Sequence, residues 1–172
     1  MSMTSNYLAN NPIGTRQTGV LTGLLGYIHS QTKNRDVKKA LAMHLMAEVE
    51  SEEREAMRKQ NPDYQRLTSL ISQYKTNRRG WDGDAGRPLS RKAISNFMAV
   101  LNVVDLHLIS DLMIYPESNG AMLIESTKSD AGISLGKESF SYYIIDNHVV
   151  KGEDDIPFSV ESMIDTLKLI SA

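Results

Sequence analysis

The chain has 172 residues, 41% of them hydrophobic and 23% charged, and its 19 Lys and Arg stand against 21 Asp and Glu for a formal net charge of -2. This is the composition of an ordinary globular protein near the size of one domain, and the near-balance of charge argues against a protein whose main task is to coat nucleic acid, while leaving a local basic patch open. With no cysteine, disulfide scaffolds, thiol catalysis and cysteine-ligated metal sites are excluded.

The first residues, Met1 to Pro12, lack a charged start followed by an apolar core, and no apolar run is long enough to span a bilayer. A cytoplasmic protein with no membrane association is expected. Residues 1–16 read as a flexible N-terminus and 17–172 as a single domain, composed of a helical extension over 17–60 and an α+β unit over 61–172. Apolar residues recur at helical spacing up to about residue 105, then alternate or cluster in short runs to about residue 152.

The first candidate helix carries the stripe Val20, Leu21, Leu24, Leu25 and Ile28 with Gly19, Gly23 and Gly26 between. Each interior glycine costs about 1 kcal/mol relative to Ala, so close packing against a neighbour must offset them. A second helix is expected from an Asn34 cap to about Gln60, where Asn61-Pro62 stops it. Val37, Leu41, Leu45 and Val49 repeat every four residues and predict a wide buried face, whereas Glu48, Glu50, Glu52, Glu53 and Glu55 predict a solvated second half. His44 and Glu48 have the spacing of two metal ligands on one helical face, but nothing nearby in the sequence supplies the others, so a partly buried His beside a solvated Glu is the simpler reading.

Asn61, Pro62 and Asp63 announce a third helix with Leu67, Leu70, Ile71 and Tyr74 on one face. A fourth begins at Ser90 and turns Ala93, Ile94, Phe97, Val100, Leu101 and Val104 inward. Leu112–Tyr115 and Ala121–Glu125 flank Asn119-Gly120, a hairpin signal, and 140–145 and 148–151 flank a second turn at Asp146-Asn147. Ile133–Leu135 reads as a weakly paired strand or a loop, and Glu153-Asp154-Asp155 as a solvated acidic turn. A last helix from about Ser159 presents Met163, Ile164, Leu167 and Ile170. The fold class is therefore α+β: N-terminal helices, an antiparallel sheet of about four strands, and a C-terminal helix packing on the sheet.

The most specialised segment is Gly80-Trp81-Asp82-Gly83-Asp84-Ala85-Gly86-Arg87-Pro88, which holds the only Trp of the chain. Its glycines permit backbone conformations closed to other residues, and Asp82 can accept hydrogen bonds from amides just ahead of it. Gly80, Trp81, Asp82, Gly83, Gly86 and Pro88 are thus the candidate structural loop. Two readings of Trp81 stay open: an internal anchor in the seam between helices and sheet, or an exposed contact hot spot. Lys75, Arg78, Arg79, Arg87, Arg91 and Lys92 form a basic rim around the loop, and Trp81 with Arg78, Arg79, Arg87 and Arg91 make the candidate binding residues. The connection from Asn77 to Ser90 is too long for a helix-turn-helix.

Between Leu67 and the Asn119-Gly120 turn, the stretch holding Leu70, Gly80-Trp81-Asp82-Gly83, Pro88-Leu89-Ser90, Ala93 and Ile94 resembles a group of small, uncharacterised bacterial and phage proteins. Their pattern is a helix, a G-W-D-G-x-G-A-x-P loop, a Ser-capped helix and antiparallel strands. The match covers about residues 64–152, with departures at Asp84 and in the order Ala85-Gly86. The resemblance implies an α+β fold and the company of toxin-antitoxin, defence or mobile-element genes. It implies no catalytic residues.

Asp82 and Asp84 could serve a metal-dependent enzyme acting on a phosphate-bearing substrate, with Arg78, Arg79 or Arg87 on the anion, although Asp-Gly-Asp is also a common turn. No nucleophile elbow surrounds Ser134, Ser139 or Ser141, no P-loop is present, and His29, His44, His107 and His148 are dispersed. The reading reached is a non-enzymatic protein that binds another macromolecule, a protein before a nucleic acid, as an antitoxin, immunity or defence-modulating factor, with no cofactor. A homo-oligomer assembled through the glycine-bearing first helix is the third alternative, and the sequence leaves the oligomeric state open.

Overall fold

In the computed structural model, residues 35–171 are described. The expected glycine-bearing helix over Val20–Ile28 lies outside them, as does the Asn34 cap. In chain order the elements are α1 (Arg35–Gln60), α2 (Pro62–Tyr74), α3 (Arg91–Leu101), a 3-10 turn over Leu106–Ile109, β1 (Leu112–Pro116), β2 (Met122–Ser126), β3 (Ala131–Leu135), β4 (Ser139–Asp146), β5 (Val149–Pro157) and α4 (Val160–Ile170). The fold is α+β. The chain divides into two compact units between Glu53 and Arg54, inside α1.

In the first unit, α1 shows less burial than its sequence stripe predicts. Leu41, Leu45 and Val49 are half-buried, and Val37 is exposed along with Met43 and Met46. The physical reason is that helical spacing sets which residues share a face of α1 and does not by itself set how far that face is covered. His44 is likewise exposed, and it pairs with Glu48 at 3.3 Å as an i,i+4 surface contact.

In the second unit, the end of α1 is tied to the α3 terminus through Arg58. The Arg58 guanidinium donates to the carbonyls of Leu101 at 3.0 Å and Val104 at 2.7 Å. The Leu101 carbonyl belongs to the last turn of α3 and that of Val104 to the bend just after it, and a cation suits the negative end of the helix dipole. Asn61 then caps α2 by accepting from the Asp63 and Tyr64 amides, with Pro62 in the first turn.

The five strands form one antiparallel meander in sequence order, β1 to β5. The count is five where the sequence suggested about four. Ile133–Leu135, read as a weak strand or loop, belongs to the central strand β3, and Ile133 pairs with Ile124 and Tyr142 on either side. The strand's shortness hid it, since burial on both sides replaces the polar-apolar alternation that marks a half-solvated strand. The acidic turn expected at Glu153-Asp154-Asp155 is instead part of β5: Glu153 pairs with Tyr142 of β4, and the Asp155 amide donates to the Ser141 hydroxyl at 3.2 Å. A register shift between Phe140 and Tyr142 and the left-handed Asp155 (φ 55°) mark an irregularity there. The β4–β5 turn also sits one residue later than expected, on Asn147 and His148, both with positive φ.

One face of the sheet carries Leu112 and Ile114, Met122 and Ile124, Ile133 and Leu135, and Phe140, each less than 2% exposed. These cluster with Leu67 and Ile71 of α2, Phe97, Val100 and Leu101 of α3, and Met163, Leu167 and Ile170 of α4. Burying that face is the main stabilising term, at about 1.5–3 kcal/mol per large aliphatic or aromatic side chain. α4 is begun by a capping box in which Ser159 and Ser162 exchange hydrogen bonds. Among the described residues, no helix is long and apolar enough to cross a membrane.

Arg58→Ala should lower unfolding free energy by about 1–2 kcal/mol, since two carbonyls lose a charged donor and only partly regain water. A urea titration followed by circular dichroism measures it. An unchanged midpoint would mean that the cap is not stabilising.

Candidate functional site

The segment between α2 and α3 folds on itself through short-range hydrogen bonds. The Gly80 amide donates to the Gly86 carbonyl at 2.7 Å and closes a neck. Within it, Trp81 N–H reaches the Arg78 carbonyl and Gly83 N–H the Gly80 carbonyl, each at 3.1 Å. The Asp82 carboxylate accepts from the Asp84 amide at 3.1 Å and the Gly86 amide at 3.0 Å, both on Oδ1. Gly80 and Gly83 have positive φ, and at Gly86 a Cβ would fall on the Asp82 carboxylate, so a side chain there would displace the group that ties the loop.

A second set of bonds seats this loop on the β1–β2 hairpin. Arg87 N–H donates to the Ser118 carbonyl and Ser90 N–H to the Gly120 carbonyl, each at 2.8 Å. Gly120 has φ 89°, and a Cβ there would stand 3.0 Å from the Pro88 carbonyl oxygen. The Asn119-Gly120 turn, legible as a hairpin signal, is therefore also the loop's platform. Ser90 precedes α3 at the N-cap position, but its side chain makes no cap hydrogen bond.

Trp81 is not an anchor in the core. It is half-buried and outside the core cluster, and its indole Nε1–H donates to the Arg87 carbonyl at 2.9 Å. The loop residue that does enter the core is Leu89, 6% exposed. Sequence reasoning passed over Leu89 because one Leu beside a Pro carries no periodicity, whereas a sole Trp draws attention by its size.

Beside the loop lies a groove of about 690 Å3. Among the described residues, Lys75 lines it from the end of α2, Pro88 and Leu89 from the loop, and Arg91, Ile94, Ser95 and Met98 from one face of α3. Its floor is apolar, since Leu89 and Ile94 belong to the core and Met98 packs against it.

Two of the candidate cations reach this groove. Lys75 and Arg91 line it, and the Gly80–Gly86 neck brings Arg79 and Arg87 together as its two flanking residues. Lys75, Arg78, Arg79, Arg87, Arg91 and Lys92 are all exposed, and among the described residues none has an acidic side chain at ion-pair distance. Elsewhere Lys59, Arg66, Lys128, Lys151 and Lys168 each face a carboxylate. Asp82 and Asp84 are also exposed, with Asp82 committed to loop amides. Among the described residues, no group of three or more His, Asp or Glu is placed to hold a metal ion. No protein family, curated protein or solved structure matches the chain.

Asp82→Ala should cost about 1–2 kcal/mol by leaving two loop amides without their acceptor, and Asp82→Asn should recover most of this because its amide oxygen can still accept. Equal losses in the two variants would assign the effect to charge instead. Trp81→Ala should cost roughly 1–2 kcal/mol, between the 3–5 of a fully buried aromatic and the 0.5 of a free surface residue. Chemical denaturation of the two proteins side by side checks the value.

Proposed function

We propose that the protein is a non-enzymatic binding protein whose 75–92 segment receives an acidic surface of another macromolecule, a protein. The observation that carries this reading is that Lys75 and Arg91 line an apolar-floored groove, and that they and the exposed Arg78, Arg79, Arg87 and Lys92 of the same segment have no acidic side chain at ion-pair distance among the described residues, on a chain whose net charge is -2. Charges placed only for solubility are interspersed with opposite ones, as they are elsewhere on this protein. A predominantly basic patch, here six cations against Asp82 and Asp84, steers an oppositely charged partner and selects against like-charged ones. The commitment of Asp82 to loop amides argues for this reading over a metal-phosphate enzyme built on Asp82 and Asp84. Homo-oligomerisation through the first helix depends on residues outside the described ones. On the resemblance of the Gly80–Pro88 loop, we favour as partner a toxin or another defence or mobile-element protein, this chain being its antitoxin, immunity or modulating factor. That class of partner rests on analogy alone.

Simultaneous replacement of Arg78, Arg79 and Arg87 by Ser should change stability by less than about 0.5 kcal/mol, because exposed unpaired charges contribute little to it. The same variant should weaken binding of a labelled polyglutamate peptide in fluorescence anisotropy by about tenfold or more and flatten its salt dependence. A wild-type protein that ignores polyglutamate but binds a short single-stranded oligonucleotide would overturn the protein reading in favour of nucleic acid.

A further inference from the structure

Resting on the reading just given, we infer that the groove takes aliphatic side chains of the partner, so that the element recognised is a short peptide segment carrying aliphatic and acidic residues side by side. Three observations lead there. The groove's volume, about 690 Å3, falls within the ~300–1,000 Å3 of ligand-binding clefts, so it admits side chains and not only water. Its floor is built of Leu89 and Ile94, each 6% exposed, and of the half-buried Met98, so the apolar surface offered to whatever enters is a narrow strip of aliphatic and thioether groups. A methionine adapts its shape to different apolar partners, a property of peptide-binding surfaces. Finally, Lys75 and Arg91 come to the groove from different elements, α2 and α3, and neither has an acidic partner among the described residues.

Charge complementarity selects an anion for those walls, and the floor selects what the anion is attached to. A nucleic-acid strand supplies phosphates, but its bases bind chiefly by stacking on aromatic rings, and none of the described residues lining the groove is aromatic. A peptide with Leu or a similar residue next to Glu or Asp satisfies both the floor and the walls. Its aliphatic group leaves water against Leu89, Ile94 and Met98, while its carboxylate meets Lys75 or Arg91. The rim beyond the groove, Arg78, Arg79 and Arg87, then adds steering by charge alone, indifferent to what the carboxylates are carried on.

The experiment compares three labelled probes on the full chain at physiological salt: a short polyglutamate peptide, the same peptide with two glutamates replaced by leucine, and a short single-stranded oligonucleotide. The leucine-bearing peptide should bind about tenfold or more tightly than polyglutamate, the scale set by burying an aliphatic side chain. Ser95→Trp, at an exposed position that lines the groove, should bring that preference below about twofold by filling the space. Ser95→Glu, which sets a carboxylate in the groove, should weaken both peptides and the leucine-bearing one more. Thermal melts confirm that both variants are folded. Equal affinity of wild type for the two peptides, or a preference that survives Ser95→Trp, would overturn the inference while leaving the basic rim as an acceptor. Tighter binding of the oligonucleotide would overturn the peptide class. If no anionic probe binds at all, the reading of the rim falls and the inference with it.

Discussion

One carboxylate holds the loop on which the candidate site depends. By accepting from the amides of Asp84 and Gly86, Asp82 folds the Gly80–Pro88 segment back so that its ends meet at the Gly80–Gly86 bond. That closure is local, spanning a few residues, so little chain entropy opposes it. Its consequence is not local. The residues leaving the neck are delivered to the β1–β2 turn, where Arg87 and Ser90 bond the carbonyls of Ser118 and Gly120. Leu89 between them enters the core, and α3 starts from a fixed point. The groove floor and the position of the cations both follow from this sequence of short contacts.

The electrostatics of α3 run against what a helix by itself prefers. Its first turn holds Arg91 and Lys92 and no acid, and its N-cap serine makes no side-chain cap bond. Cations near a helix N-terminus are unfavourable by roughly 0.3–1 kcal/mol at exposed sites, and a missing cap costs about as much again. α2 and α4, by contrast, carry an acid in the first turn and a side-chain cap. The core residues Phe97, Val100 and Leu101 hold α3 in place in spite of this. Local rules broken where the rest of the chain obeys them tend to mark surfaces kept for something other than stability.

The sheet has a related asymmetry. At the β1 edge the Arg66 guanidinium donates to the carbonyls of Leu112 at 2.7 Å and Ser110 at 3.3 Å, while Asp63 pairs with it from α2. At the β5 edge Lys151, Glu153, Asp154 and Asp155 are exposed, and such charges discourage a further strand from pairing there. On the outer face the Tyr143 ring lies over Gly132, within 2.9 Å of where a Cβ would stand, and its hydroxyl donates to Glu125 at 3.2 Å. Burial, and then the Glu125 charge, raise the Tyr143 pKa above the ordinary tyrosine value. Gly132 is thus small because an aromatic ring from the next strand covers its backbone, the same rescue of a strand glycine that cross-strand aromatics provide elsewhere.

The sequence by itself determined what depends on neighbours in the chain. The helix limits at Asn61-Pro62, the hairpin at Asn119-Gly120, the C-terminal helix from Ser159 and the basic character of residues 75–92 are written in capping, turn and charge chemistry, which act over three or four residues. Tertiary structure alone decided the rest. Ile133 became central because strands pair with it from both sides, and Glu153 became strand because Tyr142 of β4 offers it a partner, with Asp154 and Asp155 carried in the irregularity beside it. Leu89, not Trp81, became the loop's core residue, and Arg91, Ile94, Ser95 and Met98 acquired a shared groove with Lys75 only once α2 and α3 were packed. These outcomes turn on which surfaces meet across long stretches of chain. Hydrophobic burial sets that without direction, so single residues carry no local trace of it.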